Sequence, residues 1–309
     1  MSWTIGIADA IHESGRRWLE DRGARVLVED AALKDPAQLD ALIVRSRTKV
    51  TRDLLSRMPN LKVVGRAGVG VDNIDLEAAR ARGVIVVNAP QATTEAVAEH
   101  TIALLFAVAR SIPQADATMK QGRWEKKRFM GIELAGRTLG LIGLGRIGAA
   151  VARRARGLGM QVVAYDPYLS PEAIRERGAE PMASLEDLYA RADVVSVHVP
   201  LTKETRHLID QEAFARMKDG VILLCTARGG VVDEEALLQA LESGRVYGAG
   251  LDVFAQEPPG ATPLVAHPRV VATPHIAAQT REAQARVALD IAQEVWAALT
   301  GGELRWRVV

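Results

Sequence analysis

The chain has 309 residues, enough for about two domains at roughly 150 residues each. Of these 48% are apolar, so ordinary buried cores are available, and no low-complexity tract interrupts them. With 39 basic against 38 acidic side chains the net charge is +1, which argues against a general nucleic-acid or membrane-surface binder while leaving room for a local anion site.

The N-terminus, Met1 to Asp9, lacks the basic start and long apolar core of a signal peptide. Short apolar runs then alternate with amphipathic stretches, the pattern of parallel βαβ units. Strands are expected at Thr4 to Ala8, Ala24 to Val28, Ala41 to Arg45, Lys62 to Gly65 and Val84 to Val87. None of their turns carries a dinucleotide glycine pattern, so the first hundred residues form an α/β unit with a different task. Helices follow over Thr93 to Arg110 and Ile112 to Gln121, then a basic and aromatic loop, Gly122 to Phe129. The longest apolar helical run, Thr101 to Ala109, is too short to span a bilayer, and a cytoplasmic protein with no membrane partner is expected.

Leu139 to Gly148 comes next and is the most specific segment of the chain. An apolar strand runs into Gly143-Leu144-Gly145-Arg146-Ile147-Gly148, and a second strand, Gln161 to Tyr165, ends at Asp166. Gly143 suits a tight turn and Gly145 lets backbone approach a pyrophosphate. Gly148 lets the helix pack close to the strand, and the helix start at Arg146 and Ile147 offers N–H groups to the anion. Asp166 stands about twenty residues further on, where a carboxylate accepts from ribose hydroxyls and repels a 2′-phosphate. NAD is therefore the expected cofactor, in preference to NADP. Later strands are expected at Val194 to Val197, Val221 to Leu224, Gly248 to Leu251 and Val270 to Ala272. A helix over Thr280 to Leu299 presents Val287, Ile291 and Val295 at i, i+4 spacing, and a strand-like tail spans Leu304 to Val308.

Three loops follow strands of the nucleotide half: Cys225 to Gly230 with Arg228, Asp252 to Pro259 with Glu257, and Thr273 to Ala278 with His275. Loops at the carboxyl ends of strands in such a sheet converge on the ligand crevice. Taken singly, Arg228 or Glu257 reads equally well as a surface ion-pair residue, and His275 as a loop histidine. Among the other histidines, His12, His207 and His267 read as solvated and His198 as a packing or cofactor contact. His100, on a helix, reads as interdomain packing, with a catalytic role as the alternative. Asp72 and Asp75 read as turn and cap residues. Cys225, the only cysteine, excludes an intrachain disulfide and reads as a small buried residue. No His/Cys/Asp cluster has metal-ligand spacing, so no metal is expected.

Together with Arg66-Ala67-Gly68-Val69-Gly70-Val71-Asp72-Asn73-Ile74-Asp75, these motifs resemble the NAD-dependent D-isomer-specific 2-hydroxyacid dehydrogenase family. The likeness runs from about Leu42 to Glu282 and is nearest to the phosphoglycerate branch, through Val44 to Val50 and Trp124 to Gly131. The resemblance implies a doubly wound parallel-sheet NAD domain over 99–283. It implies a second, smaller flavodoxin-like α/β substrate domain over 1–98 and 284–309, with hinge closure between the two. His275 would exchange the proton on the substrate oxygen, Glu257 would hold its imidazole, and Arg228 would bind the substrate carboxylate. The backbone of Gly68, Val69 and Gly70 would help bind that carboxylate. Asp252 would hold the nicotinamide carboxamide, while Pro200, Thr205 and the Thr226 backbone would line the cofactor cleft.

Arg45 and Arg66 match positions that bind a phosphate end, which points to 3-phospho-D-glycerate as substrate. The Lys126-Lys127-Arg128 loop matches a segment reaching an active site, often the partner subunit's; a solvated charge run is the competing reading. Two departures from the branch are Cys225 in place of an Asn and Arg47 in place of a small residue. A homodimer through Thr93 to Gln121 is expected by resemblance. The chain stops at Val309, and feedback by serine through appended regulatory domains is not expected. The rival activities are a hydroxypyruvate or glyoxylate reductase and, from another class, an NAD-sensing corepressor.

Overall fold

In the computed structural model, which describes residues 2–309, the alternating runs form two parallel sheets, one in each of two compact units. The first unit comprises Met1–Thr94 and Ala278–Val309, the second Glu95–Ala277.

The first unit holds β1 (Thr4–Ile7), β2 (Arg25–Val28), β3 (Ala41–Val44), β4 (Val63–Arg66) and β5 (Ile85–Asn88), ordered β2-β1-β3-β4-β5. That is the flavodoxin-like order, with its direction reversing between β1 and β3. The helices Glu13–Glu20 and Arg281–Thr300 cover one face, and Val287, Ile291 and Val295 are all buried as their spacing requires. Glycine permits this contact at two places. A Cβ at Gly65 would meet Ile291 at 3.0 Å, and one at Gly15 would collide with the carbonyl of Ala288. Trp18 and Trp296 pack edge to face with ring centroids 6.4 Å apart.

Leu304 to Val308 does not form the expected strand. It makes one antiparallel bridge, Arg307 to Val87, and donates and accepts along β5 at Val86 and Asn88. The reason is Glu294, which is buried on the long helix and accepts from the Arg305 side chain at 2.7 Å and from the Arg305 and Trp306 amides. Those amides serve a carboxylate instead of a ladder.

The second unit holds β6 (Thr138–Ile142), β7 (Gln161–Tyr165), β8 (Glu180–Pro181), β9 (Val194–Val197), β10 (Val221–Cys225), β11 (Val246–Leu251) and β12 (Val270–Ala272). Their order is β12-β11-β10-β9-β6-β7-β8, all parallel, a doubly wound sheet that reverses between β6 and β9. The short β8 has no apolar run and escaped the sequence pattern. The helix Thr94–Ala109 lies on β11, where a Cβ at Gly250 would meet Leu104 at 3.0 Å and one at Gly248 would meet Val108 at 2.8 Å. Among the described residues no single helix is long and apolar enough to cross a membrane.

Candidate active site

The glycine segment follows β6 at the reversal between β6 and β9, the place where sheets of this kind open a crevice. Gly143 adopts φ 86°, open to glycine and strained for other residues. A Cβ there would press on Val199 at 2.9 Å, in the loop after β9. A Cβ at Gly148 would strike the Gly143 carbonyl, so helix and turn meet only because both are glycine. Gly145 differs, since a Cβ added there meets nothing. It caps the Arg146–Gly157 helix without any side-chain bond to the first amides, leaving that positive end open to an anion. At the end of β7, Asp166 accepts from Leu144 N at 2.9 Å and from Tyr168 N at 3.0 Å, which fixes its carboxylate beside the glycine turn. The cradle thus offers room and amides for a pyrophosphate and an acid for ribose hydroxyls. A dinucleotide fits it. Pro200 and Thr205 belong to one knitted loop, in which Thr205 Oγ1 donates to Pro200 O at 2.6 Å. Thr226 is buried and hydrogen-bonded to Thr101 at 2.9 Å.

β10, β11 and β12 are adjacent and parallel, with Cys225 level with Leu251 and Leu251 level with Ala272. The loops that follow them therefore emerge side by side, and they carry Arg228, Glu257 and His275. His275 Nδ1 lies 2.8 Å from Glu257 Oε2. An ionised carboxylate can only accept, so Nδ1 carries a proton, and in the neutral ring it is Nε2 that has the lone pair. The other Glu257 oxygen accepts from Phe254 N at 3.1 Å, which fixes the carboxylate from behind. With side chains 49% and 38% exposed, the pair adds little stability, so its value lies in orienting the ring. Arg228, half-buried, donates to Ala227 O at 2.6 Å. Its neighbour Gly229 lies so close to Phe254 that any Cβ would overlap the Phe254 carbonyl. That contact seats the arginine loop against the loop holding Glu257.

Asp252, expected at the carboxamide, is fully buried and turned towards the His275 loop. It accepts from Thr273 Oγ1 at 2.6 Å and from the amides of Ile276 and Ala277, both at 2.8 Å. Burial alone would raise its pKa. Hydrogen bonds from His100, Thr273, Ile276 and Ala277 outweigh that and hold it below the ordinary carboxylate value.

In the first unit the reversal between β1 and β3 gathers Asp9, Arg45 and Arg47. The buried Asp9 carboxylate accepts from Arg45 N at 2.7 Å, Thr48 Oγ1 at 2.6 Å and Arg47 Nε at 3.3 Å. Arg47, the departure from the branch pattern, is thus tied to a loop carboxylate and to Ala8 O. The half-buried Arg45 guanidinium reaches Ala10 O, and burial lowers its basicity against the pull of Asp9. Arg66 folds back over Gly68, whose φ of 145° and missing Cβ make room for the guanidinium. The Gly68 N–H is already spent on Arg66 O at 2.8 Å, so of the three glycine-turn amides one is committed within the turn. Asn88 holds the same turn through Val69 O at 2.6 Å.

Residues 102–277 match the model of the D-isomer specific 2-hydroxyacid dehydrogenase family, NAD binding domain. The chain belongs to this family. It is 48% identical to the D-3-phosphoglycerate dehydrogenase of Methanocaldococcus jannaschii over 99% of its own length and 59% of that protein's. The chain thus spans rather more than half of this curated relative. A crystal structure of a protein from Thermus thermophilus superposes with TM-score 0.91 at 40% identity, covering 99% of this chain and all of that one. A D-lactate dehydrogenase from Aquifex aeolicus, complexed with NAD and lactic acid, gives 0.84 at 32% identity over 96% of both chains.

Several residues of this family member's site carry no signal in the chain itself. Gly229 reads as loop punctuation until Phe254 is seen beside it. Thr273 and His100, 173 residues apart, are joined by a 2.9 Å hydrogen bond inside the second unit, a link that sequence spacing does not display. Cys225 is buried at the end of β10, where burial pushes its thiol up to about 11. Arg123 and Arg128 both pair with Glu125, while Trp124 of the same loop is 79% exposed.

His198, behind the glycine turn, has its pKa pushed from 6.5 down to about 4 by burial, with Ser196 Oγ 2.9 Å from Nε2. As pH falls, the unfolded chain binds this proton before the folded one does. The contribution is therefore whole above about pH 6.5 and is lost as pH falls towards about 4. Part of the residue still reaches solvent, so we expect a loss of about 1–2 kcal/mol between pH 7 and 5, smaller than the full shift implies. Denaturant unfolding of wild type and His198→Gln at both pH values checks this: the variant should lose less stability. Equal losses would show that His198 titrates normally.

Proposed function

We propose that the protein oxidises 3-phospho-D-glycerate to 3-phosphohydroxypyruvate with NAD, the step that leads into serine synthesis. The observation that carries this reading is the 2.8 Å pair of His275 with Glu257 beside the Arg228 loop. The bound nicotinamide supplies the hydride acceptor at C4. Arg228 takes the substrate carboxylate with its planar pair of donors and polarises the C2 oxygen. His275 Nε2 removes the C2 hydroxyl proton, and the resulting imidazolium is opposed by Glu257 across Nδ1–H. In the reverse direction the same nitrogen returns the proton to the keto oxygen. Asp166 favours NAD by meeting the ribose hydroxyls, and the N-terminus of the Arg146–Gly157 helix meets the pyrophosphate.

Arg45 and Arg66 take the phosphate end in this reading. The name of the Methanocaldococcus relative supports the phosphorylated substrate; that of the Aquifex neighbour keeps plain 2-hydroxy acids in the comparison. A homodimer through the Thr94–Ala109 and Ile112–Lys120 helices and the loop after them is part of the same proposal. Its support is a set of exposed apolar side chains: Ile112, Met119, Trp124 and Met130.

The test compares NAD reduction with 3-phosphoglycerate, D-glycerate and D-lactate. We expect kcat/KM to be highest for the phosphorylated compound. Arg66→Ala should lower it about tenfold or more for 3-phosphoglycerate, the cost of one charged hydrogen bond, and leave D-glycerate nearly unchanged. No advantage for 3-phosphoglycerate in wild type would remove the phosphate assignment and favour a hydroxypyruvate or glyoxylate reductase.

A further inference from the structure

His100 is part-buried on the Thr94–Ala109 helix, which lies against β11 through Gly248 and Gly250. Its Nε2 is 2.9 Å from Thr273 Oγ1 and 3.5 Å from Asp252 Oδ1. Proton positions follow from the partners. Thr273 has one hydroxyl proton and lies 2.6 Å from Asp252 Oδ1, which as a carboxylate can only accept, so Thr273 donates there. Towards His100 the same oxygen must accept, and His100 Nε2 must carry a proton. The result is a directed series, His100 Nε2–H to Thr273 and Thr273 O–H to Asp252, with Asp252 Oδ1 also within reach of the His100 N–H at 3.5 Å.

Asp252 brackets the loop that bears His275. It receives Thr273 before the histidine and the amides of Ile276 and Ala277 after it. His275 itself sits at φ 53°, in the left-handed region that a residue with a Cβ holds only when its surroundings impose it. Its own N–H turns back to Thr273 O at 3.0 Å. The acid–base histidine is thus presented by a strained turn whose two ends are fastened to one buried carboxylate. Removing the His100 donor would leave a Thr273 lone pair unmatched and take away one of the two groups that fix the hydroxyl by which Thr273 ties this end of the bracket to Asp252.

We propose that His100 is a positioning residue for His275, acting through Thr273 and Asp252 to hold the proton-exchanging ring at its working angle. This rests on the reading of His275 given above. A misplacement of this kind acts on the chemical step far more than on binding.

The experiment compares wild type, His100→Phe, His100→Gln and His275→Ala in steady-state oxidation of 3-phosphoglycerate. NAD affinity and the ¹⁵N spectrum of the histidine rings are recorded for each. His100→Phe should lower kcat about 10- to 100-fold with KM and NAD affinity within about twofold, and should shift the His275 ring signal. His100→Gln, whose side-chain amide can donate to Thr273 as Nε2–H does, should recover most of the rate and the ring signal. Wild-type kcat in His100→Phe, a loss that His100→Gln fails to restore, or a loss shared equally by kcat and NAD affinity would overturn the proposal. Retained turnover in His275→Ala would instead overturn the functional reading, whatever the His100 variants do.

Discussion

His275→Ala is expected to lower kcat by about 10²–10⁴-fold on every 2-hydroxy acid that the protein oxidises, the usual worth of a positioned acid–base group. The ring is anchored through Nδ1 to Glu257, so Nε2 is the nitrogen that the proposed mechanism turns to substrate. Alanine removes that nitrogen and leaves the cradle for the cofactor intact, because Gly143, Gly145 and Asp166 make no contact with His275 in the hydrogen-bond network. NAD affinity should therefore stay within about twofold while turnover falls. Stopped-flow absorbance of the reduced cofactor, with titration of NAD by protein fluorescence, measures both. Turnover near the wild-type rate would strip His275 of the role assigned to it.

Gly229→Ala is the second large effect. The position has no room for a methyl group, since any Cβ would occupy the Phe254 carbonyl, and backbone is the least yielding of neighbours. The Arg228 loop and the Glu257 loop must then separate. Displacement of reacting groups by an ångström costs about a hundredfold in rate, so we expect a loss in kcat of that order. Overpacking should cost about 1–3 kcal/mol of stability as well. NAD affinity should fall less than kcat, because the glycine turn that would hold the pyrophosphate lies at the other side of the sheet reversal, after β6. Kinetics alongside denaturant unfolding separate the two effects. A stable variant with wild-type kcat would show that the two loops need not touch.

Much of this was legible in the chain, and the reason lies in locality. Gly143, Gly148 and Asp166 could be read because a strand, a turn, a helix and a second strand must follow within about thirty residues for a dinucleotide to be held. The parallel strands could be read because those that bury both faces show as unbroken apolar runs, as Ala41–Val44 and Val221–Cys225 do. What escaped depends on contacts between distant segments. Gly229 and Phe254 touch only because β10 and β11 are neighbours. His100 meets Thr273 only because a helix settles on the two glycines of β11. The tail misled because its apolar pattern is real, while Glu294, far back on the long helix, takes the amides a strand would need. Arg66 was recognised as a cation, but its folding over Gly68 follows from a backbone angle that sequence does not display.

The most direct measurement follows the hydrogen on substrate C2. The protein is given NAD and 3-phospho-D-glycerate deuterated at that carbon, and the reduced cofactor is analysed by mass spectrometry. Each reduced nicotinamide is expected to carry the deuterium, because in the proposed reaction the proton taken by His275 comes from oxygen and the hydride from carbon. Reduced cofactor without the label, or none formed from this substrate, would contradict it.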